Sequence, residues 1–209
     1  MTHRHALPRP SLVTLLALLA VWLGACSESS SSPTPASASG ATPSPNTPYT
    51  IVATVGMVAD ITRHVTGDRA EVTNLIGSGV DPHLYAPTRS DAQRLLNADV
   101  IFYNGLLLEG KMTDALIRAA TAGRKVFAVT ELIDEQYLLE PEDFEGHSDP
   151  HVWMDPDAWA RAVEVVRDKL AEFDPDGASD YQANAAAYLD RLEALDDYAT
   201  RVLATVPAS

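Results

Sequence analysis

Cysteine is almost absent from this chain: Cys26 is the only one in 209 residues. A single thiol excludes an internal disulfide, a Cys-cluster zinc finger and a Cys-ligated iron–sulfur centre. Basic residues are scarce too, with fifteen Lys and Arg against twenty-nine Asp and Glu, a formal charge of −14. The first 25 residues hold two of those bases, Arg4 and Arg9, and no acid, so the remainder carries −16. Nucleic-acid binders need clustered Lys and Arg to displace counterions, and polybasic membrane patches need the same, so both classes are excluded. No apolar run is long enough for a spanning helix of about 20 residues. Nucleotide and protease signatures are missing as well. Gly77-Ser78-Gly79 lacks the third glycine of a dinucleotide loop, and neither a Walker lysine pattern nor HExxH occurs. No catalytic constellation stands out, and the chain is not expected to be an enzyme. What is present is a hydrophobic content of 46%, ordinary for a folded protein.

The N-terminus reads as an address. Leu12–Ala25 is an apolar stretch of fourteen residues behind a basic front and ends in small residues, the pattern of a signal peptide over residues 1–25. Its end, Leu23-Gly24-Ala25-Cys26, resembles the lipobox of bacterial lipoproteins, in which the cysteine is acylated and becomes the mature N-terminus. Residues 26–48 follow as a tether: sixteen of the twenty-two residues from Ser27 to Pro48 are Ser, Thr or Pro. Such a composition cannot bury enough apolar surface to offset its ordering entropy. At about 3 Å per residue it reaches up to about 65 Å from a membrane.

From Tyr49 the texture changes to alternating strands and helices. Tyr49–Val55, Ala70–Ile76, Val100–Tyr103 and Lys125–Val129 read as strands. Between them, Met57–Val65, a segment opened by Thr88 and running through Asn97, and Met112–Ala122 read as helices. Thr88-Arg89-Ser90-Asp91 has the form of a capping box. Asp157–Phe173 carries a stripe of Trp159, Val163, Val166 and Leu170. Ser179–Ala204 reads as one long helix with Tyr181, Tyr188, Leu192, Leu195 and Val202 on its apolar side. This alternation predicts an α/β lobe over residues 49–178, with a mostly parallel sheet flanked by helices, and a long helix beginning in residues 179–209.

Two identical tripeptides carry the chemistry. Asp81-Pro82-His83 follows the second strand, and Asp149-Pro150-His151 lies in the loop before the Asp157 helix. Proline fixes its own φ and holds the preceding Asp extended, so each histidine leaves a stiff loop. Each also has a carboxylate two residues away, Asp81 or Asp149, that could orient its ring. In open α/β sheets ligand sites gather at the carboxyl ends of the strands, where two such loops can converge. By spacing alone, metal ligation and two turn histidines stand as equal alternatives. Of the other histidines, His3 and His5 leave with the signal, and His64 beside Arg63 is expected on a solvated helix face. The acidic run Glu140–Glu145 with His147 reads as a solvated loop able at most to recruit cations weakly.

The segment GVDPHLYAPTRSDAQRLLNADVIFYNGLLLE (Gly79–Glu109), followed by DPHVWMDP (Asp149–Pro156), resembles the metal-binding lipoproteins of bacterial zinc, manganese and iron ABC importers. The resemblance runs from about Tyr49 to the C-terminus, and the lipobox and tether agree with it. It implies two α/β lobes bridged by one long helix, with the ion between the lobes. His83 and His151 would be the imidazole ligands of the first lobe, and Ser179–Ala204 the bridging helix. It implies a transported ligand, Mn²⁺, Zn²⁺ or Fe²⁺, delivered by a monomeric receptor anchored outside the cytoplasm to an ABC permease and its ATPase. Many zinc-specific relatives carry a long His-rich loop before the second ligand; this chain has only His147 there, which shifts the expectation toward manganese or iron. The second lobe, with its two further ligands, is absent from these 209 residues, so a truncated receptor with an unpartnered face on its last helix is expected. Two other classes stay open: a metal-dependent hydrolase, since two His and a carboxylate can activate water, and a surface adhesin using the same lobe.

Overall fold

The computed structural model describes residues 48–142 and 146–207. The expected signal peptide, Cys26, the tether up to residue 47 and part of the acidic run, 143–145, lie outside the described residues. Four parallel strands form one sheet: β1 (Tyr49–Ala53), β2 (Ala70–Asn74), β3 (Val100–Tyr103) and β4 (Lys125–Ala128), in the order β2-β1-β3-β4. Among the described residues five helices flank it: α1 (Gly56–Thr66), α2 (Arg89–Asn97), α3 (Thr113–Thr121), α4 (Pro156–Phe173) and α5 (Ala178–Leu203). The α/β alternation read from the sequence is therefore borne out; β3 has the expected bounds and the other three strands end one or two residues earlier.

The order has a consequence for winding. The chain moves one way from β1 to β2, then reverses through β3 to β4. Right-handed crossovers in opposite directions place their helices on opposite faces of the sheet. Accordingly α1, α4 and α5 pack together on one face, and α2 meets α3 on the other. The central strands are apolar on both sides: Ile51, Val52, Ala53, Val100, Ile101 and Phe102 are all buried. Edge strand β2 instead alternates, with Glu71 and Thr73 exposed and Val72 half-buried, as expected of a strand covered on one face.

Helix boundaries follow local chemistry. The Thr88 side chain accepts from the Asp91 N–H while Asp91 accepts from the Thr88 N–H, which closes the capping box that opens α2. Asp155 caps α4 by accepting from the N–H groups of Asp157 and Ala158, and Pro156 takes the first helical position, where its missing donor costs nothing. The α4 stripe is buried throughout. In α5 the expected stripe divides. Tyr181 and Leu192 are buried and Tyr188 half-buried, whereas Leu195 is 51% and Val202 44% exposed. Length is the reason: 26 residues span about 39 Å, against about 27 Å for the 18 of α4. The last turns of α5 run past the start of its neighbour. Among the described residues between β4 and α4, short 3₁₀ turns form at Thr130–Leu132, Glu135–Tyr137 and Val152–Met154.

A buried polar ring pins the start of α5 at the amino ends of the strands. Tyr49 and Tyr181 share a hydroxyl hydrogen bond of 2.8 Å, and Tyr181 donates to Asp174 at 2.5 Å. Arg69 reaches Asp174 through Nε and Nη2, both at 2.9 Å. Burial, reinforced by Asp174, pushes the Tyr181 hydroxyl above its ordinary pKa and keeps it a donor. Gly177 lies against this ring; a Cβ there would overlap Arg69 Nε, Tyr181 Cζ and Asp174 Oδ2. Gly177→Ala should therefore lower the unfolding free energy by about 1–3 kcal/mol, the usual cost of overpacking. Gly56→Ala, where a Cβ meets nothing within 4 Å, should not destabilise. Urea denaturation of the two variants checks this, and equal stabilities would show that the ring yields freely.

Candidate metal centre

Both histidine loops leave edge strands, β2 for His83 and β4 for His151, and cross above the carboxyl ends of the sheet toward its middle. They meet there. His83 Nε2 and His151 Nε2 are 3.2 Å apart, with ring centroids separated by 5.3 Å and planes tilted by 52°. Two nitrogens each about 2.0–2.1 Å from one tetrahedral ion lie about 3.3 Å apart. The spacing between these nitrogens is thus that of a shared ion.

The two tripeptides fold alike. Each Asp accepts, through Oδ1 at 2.9 Å, the backbone N–H of the His two residues on. They differ at the ring. Asp149 Oδ1 also takes a 2.6 Å hydrogen bond from His151 Nδ1, whereas the hydrogen bond of Asp81 to His83 is to the main chain. A carboxylate only accepts, so Nδ1 of His151 carries a proton and, in the neutral ring, Nε2 presents its lone pair to the site. The 3.2 Å contact then has His83 Nε2 as its donor. Backbone and side-chain hydrogen bonds from His151 hold the Asp149 carboxyl below its ordinary pKa. Trp153 braces His151 edge-on at 5.2 Å.

A cleft of about 530 Å³ opens beside the pair, lined by both histidines, Leu106, Leu107 and His147. Among the described residues no group of three or more His, Cys, Asp or Glu is placed to hold an ion. His147 lines the cleft without joining the pair. His64 sits on α1 with its Nδ1 2.9 Å from the Asp60 carbonyl and its ring against Tyr188, remote from the cleft and half-solvated as expected.

The turn after β3, Asn104–Glu109, passes under the site, and the sequence reading gave none of its residues a role. Asn104 Nδ2 donates to the carbonyl of Pro150 at 2.9 Å. Glu109, 3% exposed, accepts from Thr54 Oγ1 at 2.5 Å, Asn104 N at 2.8 Å and Gly105 N at 3.2 Å. A polar pair flanking four apolar residues was the only signal in the sequence. Burial outweighs these hydrogen bonds and raises the Glu109 carboxyl above its ordinary value of 4.5.

The chain resembles proteins of known role. Residues 51–209 match the family described as "ZnuA: Zinc-uptake complex component A periplasmic". It is 37% identical over 158 residues to the zinc-binding protein TroA of Treponema pallidum, an alignment covering 76% of this chain and 50% of that one. It is 35% identical to the manganese-binding lipoprotein MntA of Bacillus subtilis, over 75% of this chain and 51% of the relative. The manganese ABC transporter substrate-binding lipoprotein scaA of Streptococcus gordonii is 34% identical over 93% of this chain and 61% of its own. The solved structure of the periplasmic zinc binding protein TroA superposes with a TM-score of 0.72 at 35% identity, over 77% of this chain and 57% of that one. The chain spans about half the length of the curated relatives it matches.

The buried Glu109 gives a pH test independent of any ion. A carboxyl raised by folding contributes stability that is present below its ordinary value and lost as pH rises through its folded value. Glu109→Gln carries no such loss. Between pH 5 and 8 the stability of the wild type relative to Glu109→Gln should therefore decline, measured by urea midpoints. A difference that grows with pH would contradict the raised value.

Proposed function

The chain belongs to the ZnuA family of periplasmic zinc-uptake components, and from that premise we propose that it binds a divalent transition metal as cargo for an ABC importer. The observation that carries the reading is the approach of His83 Nε2 to His151 Nε2 at 3.2 Å with the His151 tautomer set by Asp149. Imidazole suits zinc and iron, manganese favours oxygen donors that the remaining positions can supply, and we leave the cargo as Zn²⁺, Mn²⁺ or Fe²⁺. Two imidazoles fill two positions of a four-coordinate ion, and we assign the others to donors outside the described residues. His83 and His151 are the ligands in this reading, and Asp149 orients the second ring. Asp81 shapes the first loop through the main chain. Residues 49–178 form the metal-binding lobe, and α5 belongs to the bridging helix.

Delivery requires a permease and its ATPase, consistent with the relative named as an ABC transporter substrate-binding lipoprotein. An excess of acidic residues favours accumulation of cations near such a site. For location we propose an extracytoplasmic lipoprotein held by an acyl group on Cys26 behind the cleaved residues 1–25. The composition of that segment and the relatives named as lipoproteins support it. No helix among the described residues is long and apolar enough to cross a membrane.

His83→Ala and His151→Ala should each weaken Zn²⁺ or Mn²⁺ binding, read by calorimetry, beyond the about 10- to 100-fold that loss of an outer partner costs. Asp149→Asn should fall within that range. Wild-type affinity in the double variant His83→Ala/His151→Ala would remove the site. Cys26→Ala should move the protein from the membrane to the soluble extracytoplasmic fraction. Retention at the membrane in wild-type amount would exclude the lipid anchor.

A further inference from the structure

We propose that Asn104 and Glu109 are positioning residues for the histidine pair, the turn they fold clamping the peptide that carries His151 so that its ring meets that of His83. The inference rests on the metal-binding reading for its purpose and on the following geometry for its substance.

The Pro150–His151 peptide is held at both ends. Its N–H donates to Asp149 Oδ1 at 2.9 Å, and its carbonyl, Pro150 O, accepts from Asn104 Nδ2 at 2.9 Å. With the peptide plane fixed, the Cα of His151 has little freedom, and the Nδ1 bond to Asp149 fixes the ring. No described residue of the His151 loop itself supplies the grip on that carbonyl. It comes from the end of β3.

Asn104 is in turn gripped from several sides. It is fully buried. Its main-chain oxygen accepts from Thr130 N at 2.9 Å and Thr130 Oγ1 at 2.7 Å, which ties it to the segment after β4. Its N–H goes to Glu109. Its side-chain amide faces two carbonyls, those of Pro150 and Gly105, so the nitrogen must point to them. Among the described residues Asn104 Oδ1 is buried without a hydrogen-bond partner. The side chain is placed for its donor, at the expense of its acceptor.

Two more unfavourable features fall in the same six residues. Leu106 and Leu107 have φ of 49° and 64°, a left-handed conformation that leucine resists. Gly105, at φ 96°, could not be replaced without contact on Ala128 and Glu131 at 3.1 Å. Glu109 enforces this shape, accepting from both Asn104 N and Gly105 N and from Thr54 at the end of β1. Local strain and an unsatisfied buried oxygen persist only where surrounding structure over-determines them, and they concentrate at functional sites. Just beyond the turn, Lys111 Nζ lies 3.4 Å from the carbonyl of Leu84, beside His83. One segment therefore touches both histidine loops.

The test uses the full chain with and without Zn²⁺. Three quantities are measured: the ring-to-ring NOE between His83 and His151 without metal, Zn²⁺ affinity by chelator competition, and the urea midpoint. Asn104→Ala and the milder Asn104→Ser should lose the NOE and bind Zn²⁺ about 10- to 100-fold more weakly. Gly177→Ala, destabilised at the opposite end of the sheet, should keep wild-type NOE and affinity, which separates positioning from general loss of stability. Should both Asn104 variants fail to fold, Glu109→Gln gives the same reading through the turn. Wild-type NOE and affinity in the variants that fold would overturn the proposal, as would an equal loss in Gly177→Ala or an absent NOE in the wild type. A wild type that shows the NOE but binds no Zn²⁺ would sink the metal-binding reading and leave the positioning role to be judged on the NOE.

Discussion

Between β1 and β3 the chain reverses its direction of winding, and much of the lobe follows from that reversal. At such a point the crossover helices on either side go to opposite faces, which opens a crevice between the carboxyl ends of the two central strands. A crevice is left with backbone groups of β1 and β3 at its floor. Here Glu109 spans the gap, joining Thr54 at the end of β1 to the peptide nitrogens of Asn104 and Gly105 at the end of β3. A buried carboxyl with several donors can stay in such a place. The turn it organises is the floor on which the second histidine loop rests.

The two ends of the sheet solve opposite problems. At the amino ends, Tyr181, Asp174 and Arg69 close a ring of hydrogen bonds beside Gly177, and Tyr49 joins it through Tyr181. It fastens α5 to β1 and to the end of α4. At the carboxyl ends the polar groups are arranged around a cleft instead of around one another. His151 remains 44% exposed at its side chain even though its peptide and ring are both held. Accessibility with fixed geometry is what the metal uptake and release proposed above requires. The last turns of α5, whose Ala199, Thr200 and Leu203 share a second hollow with His151 and Met154, overhang this end.

Legibility in the sequence varied with the range of the interaction. The capping box at Thr88 is legible because Asp91 is only three residues away. The α4 stripe is legible because 3.6-residue spacing alone decides which face is apolar. The Asp-Pro-His repeat announces two equivalent loops, since a proline stiffens its neighbours wherever it stands. The role of Asn104 is not legible in that way. Its partner, Pro150, lies 46 residues further on, and nothing local distinguishes an asparagine that clamps from one that ends a strand. The outer half of the α5 stripe misleads for a related reason: Leu195 and Val202 keep helical spacing, but burial needs a neighbour, and α4 is too short to provide one.

The sequence by itself determined the strands, the helices, two stiff histidine loops and the likeness to a metal-receptor family, because each is written in spacings of a few residues or in contiguous motifs. Only the tertiary structure decided that the loops of two edge strands converge over the central pair. It alone decided that His151 is the ring held by a carboxylate while Asp81 stays on the main chain, and that a buried turn from β3 grips the Pro150 carbonyl. Those outcomes depend on strand order, and strand order is set by which helices share a core across the whole lobe. Local pattern fixes what each segment becomes, and the packing of all of them fixes which atoms meet.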